Sequence, residues 1–301
     1  MIERSARAAV LAVLRRINVG RITIHEGGRK YVCGPGNGPV ATIYIHDAKA
    51  WPMLLHGGRG CVDAYVDGLW DTDDLTAVFR VAARNIGRVD ALRKKFGFMG
   101  TAGLRVRDAF ARNTPERSRN DISAHYDLGN DMFSLMLDPM MMYSCAFFEK
   151  PGATLAEASE RKLETVCEKL DLGPDDHVVE IGTGWGGFAV YAATTRGCRV
   201  TTTTISQEQF DIAVKRVAEA GVEHLVECRL DDYRDMTGQY DKLVSLEMIE
   251  AVGHKDFGTY FAQCSKLLKP DGLMLLQAIT IDDRSYDISK ITRSFIRTYI
   301  F

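Results

Sequence analysis

The hydrophobic and polar positions change their spacing partway along the chain, and this change predicts two structural parts. In the first part, residues 2–17 carry apolar side chains on one helical stripe. Short runs of strand-forming residues at 20–46 are separated by glycine-rich turns and predict β structure. A further helix is expected at 73–85, with Thr72 as its candidate N-cap. Residues 1–87 are therefore predicted to form a small α+β domain.

In the second part, apolar runs of strand length alternate with amphipathic stretches of helix length. The predicted strands enter at 177–179 and then span 199–204, 226–230, 240–246 and 272–281. The predicted helices span 154–171, with Thr154 as cap, then 188–193, 207–220 and 256–268. Such alternation predicts an α/β fold, a doubly wound and mostly parallel sheet with helices on both faces. Residues 121–301 are assigned to this second domain.

The two parts are joined by a basic connector at residues 88–120. Its basic residues are Arg88, Arg93, Lys94, Lys95, Arg105, Arg107, Arg112, Arg117 and Arg119, opposed by Asp90, Asp108 and Glu116. Phenylalanine, leucine and methionine side chains are interleaved with these charges. One interpretation is a solvated helix or linker. The other is a surface that binds an anionic membrane, because basic and apolar side chains together favour such a surface.

Composition restricts the classes of function. The formal net charge of the 301 residues is -2, which gives no overall signature of binding to nucleic acid. The seven cysteines are scattered without a C-x-x-C pair, which argues against a zinc site or a disulfide framework and favours a reducing cytoplasm. No apolar run in the sequence is long enough to span a bilayer.

The chemistry of the second part is organised around the glycines at 182, 184, 186 and 187, which follow the first predicted strand. A glycine turn between a strand and a helix lets backbone approach a nucleoside cofactor. Two cofactors compete for this loop, a dinucleotide and S-adenosylmethionine, and a turn that binds no ligand is the third interpretation. Glu180 stands just before Gly182, where a carboxylate would repel a pyrophosphate. That carboxylate favours the sulfonium and amino group of S-adenosylmethionine.

Loops after the next two strands reach the same edge of the predicted sheet. The loop after the second strand lacks an acidic residue at the strand end, so a ribose contact would fall to Thr204 or Gln209. Asp231 follows the third strand and is either a ligand contact or a turn or cap residue. These alternatives remain open on the sequence alone.

Over most of its length the sequence resembles the cyclopropane fatty acid synthases and the related mycolic acid methyltransferases. The segments that carry the resemblance are 124–131, 142–148, 180–187, 204–209, 248–254 and 275–279. The segment 60–71 also resembles the lipid-associated N-terminal domain of the bacterial synthases. The resemblance implies a class I methyltransferase fold, which is Rossmann-like, and S-adenosylmethionine as cofactor. The cofactor-binding residues it implies are Tyr126, Tyr143, Ser144, Glu180, Gly182, Gly184, Gly186, Thr204, Ser206, Gln209, Asp231 and Asp232.

The resemblance also implies a reaction. In the family, the cis double bond of a phospholipid acyl chain attacks the sulfonium methyl, and a bound bicarbonate is taken to be the base that closes the cyclopropane ring. Cys145, Glu250 and Ile279 match the residues that hold this anion. Gln277 stands where the family has a histidine, and its amide donates hydrogen bonds but carries no charge. Bicarbonate binding therefore stays open.

Three alternatives to cyclopropane formation stand beside it. Methyl transfer could stop at a methylene- or methyl-branched chain, an outcome that Gln277 keeps open. The chain could instead be a small-molecule N-methyltransferase, or a protein that binds the cofactor or lipid without catalysis. For the leading hypothesis we expect an unsaturated phospholipid substrate and peripheral association with the inner, cytoplasmic face of an anionic membrane. We expect no nucleic-acid partner, and a homodimer is left open.

The end of the sequence carries a further expectation. The sheet that the family shares has seven strands, whereas only five are predicted before Ile281. Residues 282–301 are predicted to form one loop and one helix, so the last strands are expected to be missing. The motif that supplies the family's tyrosine to the anion site would lie beyond Phe301. The second domain is accordingly expected to be C-terminally incomplete, with weak activity or none.

Overall fold

The computed structural model describes residues 2–87, 130–283 and 286, which fall into two compact units. One unit contains residues 2–87, and the other contains 130–283 and 286. The predicted basic connector, Tyr126 and the predicted C-terminal helix lie outside the described residues. No helix among the described residues is long and apolar enough to cross a membrane.

The first unit is a small α+β unit with a four-stranded sheet. Its elements are α1 (Ile2–Leu14), β1 (Arg21–Glu26), β2 (Arg29–Cys33), β3 (Val40–Ile45), α2 (Ala50–Leu54), α3 (Gly58–Val66), β4 (Trp70–Asp71) and α4 (Leu75–Arg84). The strand order is β2-β1-β3-β4, and β1 pairs antiparallel with β2 but parallel with β3. The core is built around Trp51, which is fully buried among aliphatic side chains of the helices and sheet. The predicted helices and strands of this part are therefore present.

The predicted cap of the last helix in this unit was wrong. The helix α4 begins two residues later than expected, and Asp74 caps it by accepting a hydrogen bond from the Ala77 amide at 2.9 Å. Thr72 instead donates its hydroxyl hydrogen to the carbonyl of Thr42 on β3 at 2.5 Å. A threonine this close to a strand end satisfies the sheet backbone, and the aspartate nearer the first turn takes the cap.

The second unit is the α/β fold that the sequence predicts. Its elements are α5 (Asn130–Met136), α6 (Leu155–Leu170), β5 (His177–Ile181), α7 (Gly187–Arg196), β6 (Arg199–Thr203), α8 (Gln207–Glu219), β7 (Val226–Arg229), β8 (Tyr240–Leu246), α9 (Phe257–Leu267) and β9 (Leu268–Gln277). The five strands are all parallel, in the order β7-β6-β5-β8-β9. Thr154 caps α6 with a complete capping box, as predicted.

Neighbouring residues of the central strand show that helices cover both faces of this sheet. Val178 packs in one core cluster with side chains of α6, α7 and α8. Val179 packs in another cluster with side chains of α9. Successive side chains of a strand point to opposite faces, so the two clusters lie on the two sides of the sheet. The strand order reverses between β5 and β8, and ligands of open α/β sheets bind beyond the strand ends at such a point.

The last strand differs from the prediction at both of its ends. It begins at Leu268 directly after α9 and ends at Gln277, so Ile279 and Ile281 lie beyond it. Leu268 pairs with Tyr240, but Leu273 already pairs with Lys242, and the residues between them form an irregularity in the ladder. The turn-forming residues at 269–272 thus form a bulge within the strand, whereas the prediction had the strand begin after them. Glycine and proline are typical both of turns and of bulges, so the sequence alone could not distinguish the two.

Candidate functional site

The glycine loop lies between the end of β5 and the start of α7, beside the reversal of strand order. Gly182, Gly184 and Gly186 have φ angles of +103°, +51° and +82°, a region that side chains rarely adopt. A Cβ atom at Gly182 would lie 3.0 Å from Met248, and one at Gly186 would lie 3.2 Å from Ala213. A Cβ at Gly184 would meet nothing within 4 Å. Gly184 therefore faces open space, and the other two glycines permit close backbone packing.

Glu180 places a buried carboxylate just before this loop. Its residue surface is 2% exposed, and its carboxylate accepts a hydrogen bond from the Thr202 hydroxyl at 2.7 Å. The Thr202 hydroxyl also lies 2.7 Å from the hydroxyl of Thr183. Burial raises the pKa of Glu180 to about 8, and the hydrogen bond from Thr202 opposes this shift. A positively charged ligand at this carboxylate would favour its ionised form.

The loop after β6 and the first turn of α8 contain three buried polar residues that contact one another. Thr204 donates a hydrogen bond to the side-chain carbonyl of Gln209 at 2.9 Å. Ser206 caps α8 by accepting from the Gln209 amide, and its own amide donates to Thr204 at 3.1 Å. The structure thus brings these three predicted cofactor residues together. Their contact with a ribose remains a prediction.

The loop after β7 separates the roles of its two aspartates. Asp231 pairs with the Arg229 guanidinium at 2.8 Å. Asp232 is buried, pairs with Arg234 at 2.6 Å and accepts from the Arg234 amide at 3.0 Å, where it caps a short 3-10 turn. The capping role that the sequence left open for Asp231 thus belongs to Asp232. Both carboxylates lie at the strand-end edge where a nucleoside would bind.

An aromatic cluster fastens α5 to the glycine loop. The indole nitrogen of Trp185 donates to the side-chain oxygen of Asn130 at 2.8 Å. The rings of Trp185 and Phe133 are 5.0 Å apart, and the ring of Tyr143 lies 5.3 Å from Phe133. Trp185 and Phe133 are buried, whereas Tyr143 is exposed. Tyr143, a predicted cofactor residue, therefore has an accessible ring on a well-packed support.

Residues far apart in the chain meet at the end of β9. The side-chain nitrogen of Gln277 lies 3.0 Å from the Ser144 hydroxyl and 3.2 Å from the Cys145 sulfur. The same nitrogen donates to the Glu247 carboxylate at 2.6 Å. Cys145 is exposed, so this group of polar atoms is open to a ligand. Three of the predicted site residues are thereby brought together, along with one that was not predicted.

Glu250 joins the segment after β9 to the end of β8. One carboxylate oxygen accepts the Ile279 backbone amide at 2.5 Å. The other oxygen is buried and has no hydrogen-bond partner among the described residues. The Ile279 side chain is 71% exposed, so its predicted contribution comes from the backbone. A buried carboxylate oxygen without a partner costs free energy unless a ligand or water satisfies it.

Sequence reasoning missed two charged residues of this site, Lys162 and Glu247. Lys162 on α6 is 0% exposed, and its ammonium donates a hydrogen bond to the Ser144 hydroxyl. Burial lowers the pKa of Lys162, and the Glu247 carboxylate is the first of the charges that oppose this shift. Glu247 follows β8 with a φ of +55°, a conformation that costs a non-glycine residue about 1–2 kcal/mol.

Both missed residues left a signal in the sequence. Lys162 is four residues from Ala158 and from Val166, so it lies on the buried stripe of α6. Glu247 directly follows the last residue of a parallel strand, where ligand-facing residues of α/β sheets collect. Position relative to the predicted elements could therefore have identified each of them.

Comparisons with known proteins identify relatives of this chain. A model of the mycolic acid cyclopropane synthetase family matches residues 113–301. The chain is 38% identical over 270 residues to a tuberculostearic acid methyltransferase of Mycobacterium tuberculosis, covering 86% of this chain and 62% of that protein. It is 40% identical over 251 residues to the cyclopropane-fatty-acyl-phospholipid synthase of Escherichia coli, covering 83% and 62%. The chain thus spans 62% of the length of each of these relatives.

Two solved structures agree with these matches. The cyclopropane synthase MmaA2 of Mycobacterium tuberculosis aligns with a TM-score of 0.56 at 32% identity, covering 61% of this chain and 67% of that chain. The mycolic acid cyclopropane synthase CmaA1 in complex with SAH and CTAB aligns with a TM-score of 0.51 at 33% identity, covering 52% and 55%.

Proposed function

The chain belongs to the mycolic acid cyclopropane synthetase family, and we propose that it transfers a methyl group from S-adenosylmethionine to an unsaturated phospholipid acyl chain. The methyl carbon is added to the cis double bond and closes a cyclopropane ring. The observation that carries the proposal is the meeting of Ser144, Cys145 and Gln277 at the strand-end edge that also holds the glycine loop.

The residues of the glycine loop fit the proposed cofactor. Glu180 is a buried carboxylate whose pKa of about 8 reflects burial, and a sulfonium or ammonium group would compensate its charge. Gly184 leaves open space where the backbone of the loop can approach a ligand. We assign the nucleoside contacts to Thr204 and Asp231, which lie in the two neighbouring loops, and to Gln209 in the first turn of α8. The related CmaA1 structure, which contains SAH, supports S-adenosylmethionine as the cofactor.

S-adenosylmethionine, when bound, supplies a methyl group that an electron-rich carbon can take up. The alkene carbon next to the new bond then becomes positively charged, and one proton must leave before a neutral lipid results. Glu250 and Glu247 bring negative charge to the edge where this cation forms, which stabilises it. Gln277 orients Glu247 through a hydrogen bond and also contacts Ser144. The proposed function therefore depends on side chains from the segment after β8, from β9 and from the segment before α6.

A second candidate product is a methylene- or methyl-branched acyl chain. The Gln277 amide donates to Glu247 in this site, and an amide carries no positive charge with which to hold an external anion. The match to a tuberculostearic acid methyltransferase is consistent with this outcome. Both products gain one carbon. Because the cation becomes neutral by losing a proton, the branched product keeps one C=C bond, so mild hydrogenation of alkenes changes it and leaves the cyclopropane unchanged. Mass spectrometry of the lipids before and after hydrogenation distinguishes them.

We further propose that the protein reaches its substrate as a peripheral protein on the cytoplasmic face of an anionic membrane. Support comes from the sequence of residues 88–120, where basic side chains alternate with apolar ones. Binding to anionic vesicles should weaken when Arg93, Lys94 and Lys95 are replaced by glutamine. Equal binding to neutral and anionic vesicles in both proteins would favour a solvated linker instead.

The central experiment incubates the protein with methyl-labelled S-adenosylmethionine and vesicles of unsaturated phospholipid. We expect label in the extracted fatty acids and none when the vesicles contain only saturated chains. Label in soluble amines without vesicles would support an N-methyltransferase. Cofactor binding by calorimetry with no labelled product from either substrate class would leave a cofactor-binding protein as the function.

A further inference from the structure

Glu247 belongs to the polar group at the ends of β8 and β9, where the Gln277 amide donates to its carboxylate. It follows Leu246, the last residue of β8, and its backbone adopts a φ of +55°. Non-glycine residues are held in this conformation when the surrounding structure enforces it, and such positions concentrate at functional sites. The glutamate side chain is not branched at Cβ. The conformation places its carboxylate at the edge where parallel strands present ligand-binding residues.

The Gln277 amide, which the resemblance places among the groups around the external anion, is directed at this carboxylate instead. Gln277 donates to the Oε1 atom of Glu247 at 2.6 Å. The same amide nitrogen is 3.0 Å from the hydroxyl of Ser144 and 3.2 Å from the sulfur of Cys145. An amide nitrogen has only two hydrogens, so these three contacts already use its capacity. The Gln277 amide is therefore committed within the protein.

A buried ammonium is linked to the polar group that contains the Glu247 carboxylate. The buried ammonium of Lys162 donates to the Ser144 hydroxyl, which links it to the group around Gln277. The Glu247 carboxylate attracts this ammonium more strongly than the neighbouring Asp138 does. The Glu247 carboxylate therefore offsets part of the free-energy cost of burying this ammonium. A second anion at the same place would be repelled by the carboxylate that is already there.

We propose that Glu247 is the internal proton acceptor of this site and takes the place of a bound bicarbonate or other small carboxylate. This inference rests on the methyl transfer proposed above. Gln277 holds Oε1, which leaves Oε2 as the oxygen that receives the proton. Gln277 is then a positioning residue for a carboxylate that the chain itself supplies.

The proton transfer is balanced in atoms and electrons. Once an alkene carbon has bonded to the methyl carbon, and the broken S–C bond of the donor has left its electron pair on sulfur, the neighbouring carbon lacks one electron pair. Glu247 accepts a proton from the methyl group or from a carbon beside the cation. The electron pair of the broken C–H bond forms the closing C–C bond of a ring or a new C=C bond. The resulting carboxylic acid loses its proton to water, which restores the carboxylate.

Substitution of Glu247 by glycine tests the proposal, because glycine adopts a φ of +55° without strain and leaves room for a small anion. We expect Glu247→Gly to retain its fold and cofactor affinity and to lose about 10²–10⁴-fold in turnover. Added formate or bicarbonate should bind this variant, raise its melting temperature and restore part of the turnover. The wild-type protein should show neither anion-induced stabilisation nor a loss of turnover in carbonate-free buffer.

Asp171→Gly is the matched control, because Asp171 has a φ of +51° and caps the exposed end of α6. Its melting temperature should stay close to that of the wild type, because relief of the left-handed strain and the added freedom of glycine in the unfolded chain offset each other. It should show neither anion binding nor a change in turnover. Glu247→Asp, which keeps a carboxylate, should retain more turnover than the glycine variant.

Three results would overturn the proposal: full turnover in Glu247→Gly, wild-type turnover that requires bicarbonate, or equal formate binding by the wild type and the variant. The anion-binding arm does not depend on turnover. A wild-type protein that methylates no lipid would refute the proposed function, whereas calorimetry with formate would still decide whether Glu247 fills an anion site.

Discussion

Glu180 on β5 and Thr202 on β6 lie directly opposite each other in the parallel ladder, and their side chains are joined by a 2.7 Å hydrogen bond. The bond lies inside the sheet, because Thr202 and Glu180 are both buried. One neutral hydroxyl compensates a carboxylate only in part, so the pKa of Glu180 stays raised at about 8. The apo protein therefore holds a proton on Glu180 at neutral pH.

Cofactor affinity should rise with pH because of this proton. A cationic ligand pairs with the ionised carboxylate, and below pH 8 binding must first remove the proton. We expect the dissociation constant for S-adenosylmethionine, measured by calorimetry, to fall up to about tenfold per pH unit between pH 6 and pH 8. Glu180→Gln should remove this slope and leave only the titration of the ligand itself. A wild-type affinity as flat as that of the variant would contradict the assignment.

The stability of the protein without cofactor should fall as pH rises, whereas the affinity for the cofactor should increase. The unfolded chain releases the Glu180 proton near the ordinary value of 4.5, whereas the folded protein keeps it up to about 8. Between these values the folded state binds more protons, so stability falls by at most about 1.4 kcal/mol per pH unit as pH rises. Glu180→Gln should therefore raise the melting temperature more at pH 8 than at pH 5. An equal change at both pH values would mean that Glu180 is already ionised in the fold.

Gly184→Val tests the cofactor loop. Valine at a φ of +51° is strained, and its side chain would project into the open space beside the loop. Gly221→Val is the matched control, since Gly221 has a φ of +68°, meets nothing within 4 Å and lies after α8 away from the loop. We expect both variants to lose similar stability and only Gly184→Val to lose cofactor binding. Unchanged affinity in Gly184→Val would remove the glycine loop from the cofactor site.

The parts of the site that are local in sequence could be predicted. Glu180 and the glycines lie within eight residues of one another, and strand, turn and helix signals surround them. The position of Gln277 beside Ser144 could not be worked out in this way, because the two are 133 residues apart and only the fold brings them together. Resemblance placed both in the site, but it gave no reason to expect their contact.

The sequence-based prediction of the site mainly omitted charged residues that the fold buries or partly buries. Lys162 stands among other charged residues on α6, and such a stretch is usually a solvated face. Its burial depends on the segment at 144–145, which packs over the helix and offers Ser144 as an acceptor. The strand β9 was misplaced for a related reason, since the turn residues at 269–272 bulge within the ladder. In each case a tertiary contact overrode a local signal.

Glu250→Gln should lower turnover much more than cofactor affinity. The amide oxygen of glutamine can still accept the Ile279 backbone hydrogen bond, so the segment after β9 keeps its position. The variant removes the negative charge from the buried oxygen that has no partner among the described residues. We expect a loss of about 10²–10⁴-fold in turnover at unchanged dissociation constant. Affinity that falls in parallel with turnover would show that Glu250 holds the cofactor instead.

Replacement of Lys162 by methionine should separate stability from activity. The ammonium is fully buried, and burial lowers its pKa, so the folded protein binds the proton less readily than the unfolded chain does. The charged ammonium therefore lowers the free energy of unfolding. This loss is constant below the lowered pKa and shrinks as pH rises towards 10.5, the ordinary pKa of lysine. Methionine removes the cost and fills a similar volume. We therefore expect Lys162→Met to melt no lower than the wild type, with its advantage greatest at neutral pH.

Turnover of the same variant should fall by about tenfold to a hundredfold, because Ser144 loses the donor that fixes it beside Gln277 and a small displacement of reacting groups is costly. Lys169→Met is the control, since Lys169 lies on the same helix and is exposed. It should change neither melting temperature nor turnover. A Lys162→Met protein that melts lower than the wild type at every pH, with turnover reduced only in proportion to the folded fraction, would make Lys162 a structural residue. Retained stability with lost turnover would instead place it in the support of the reacting carboxylate.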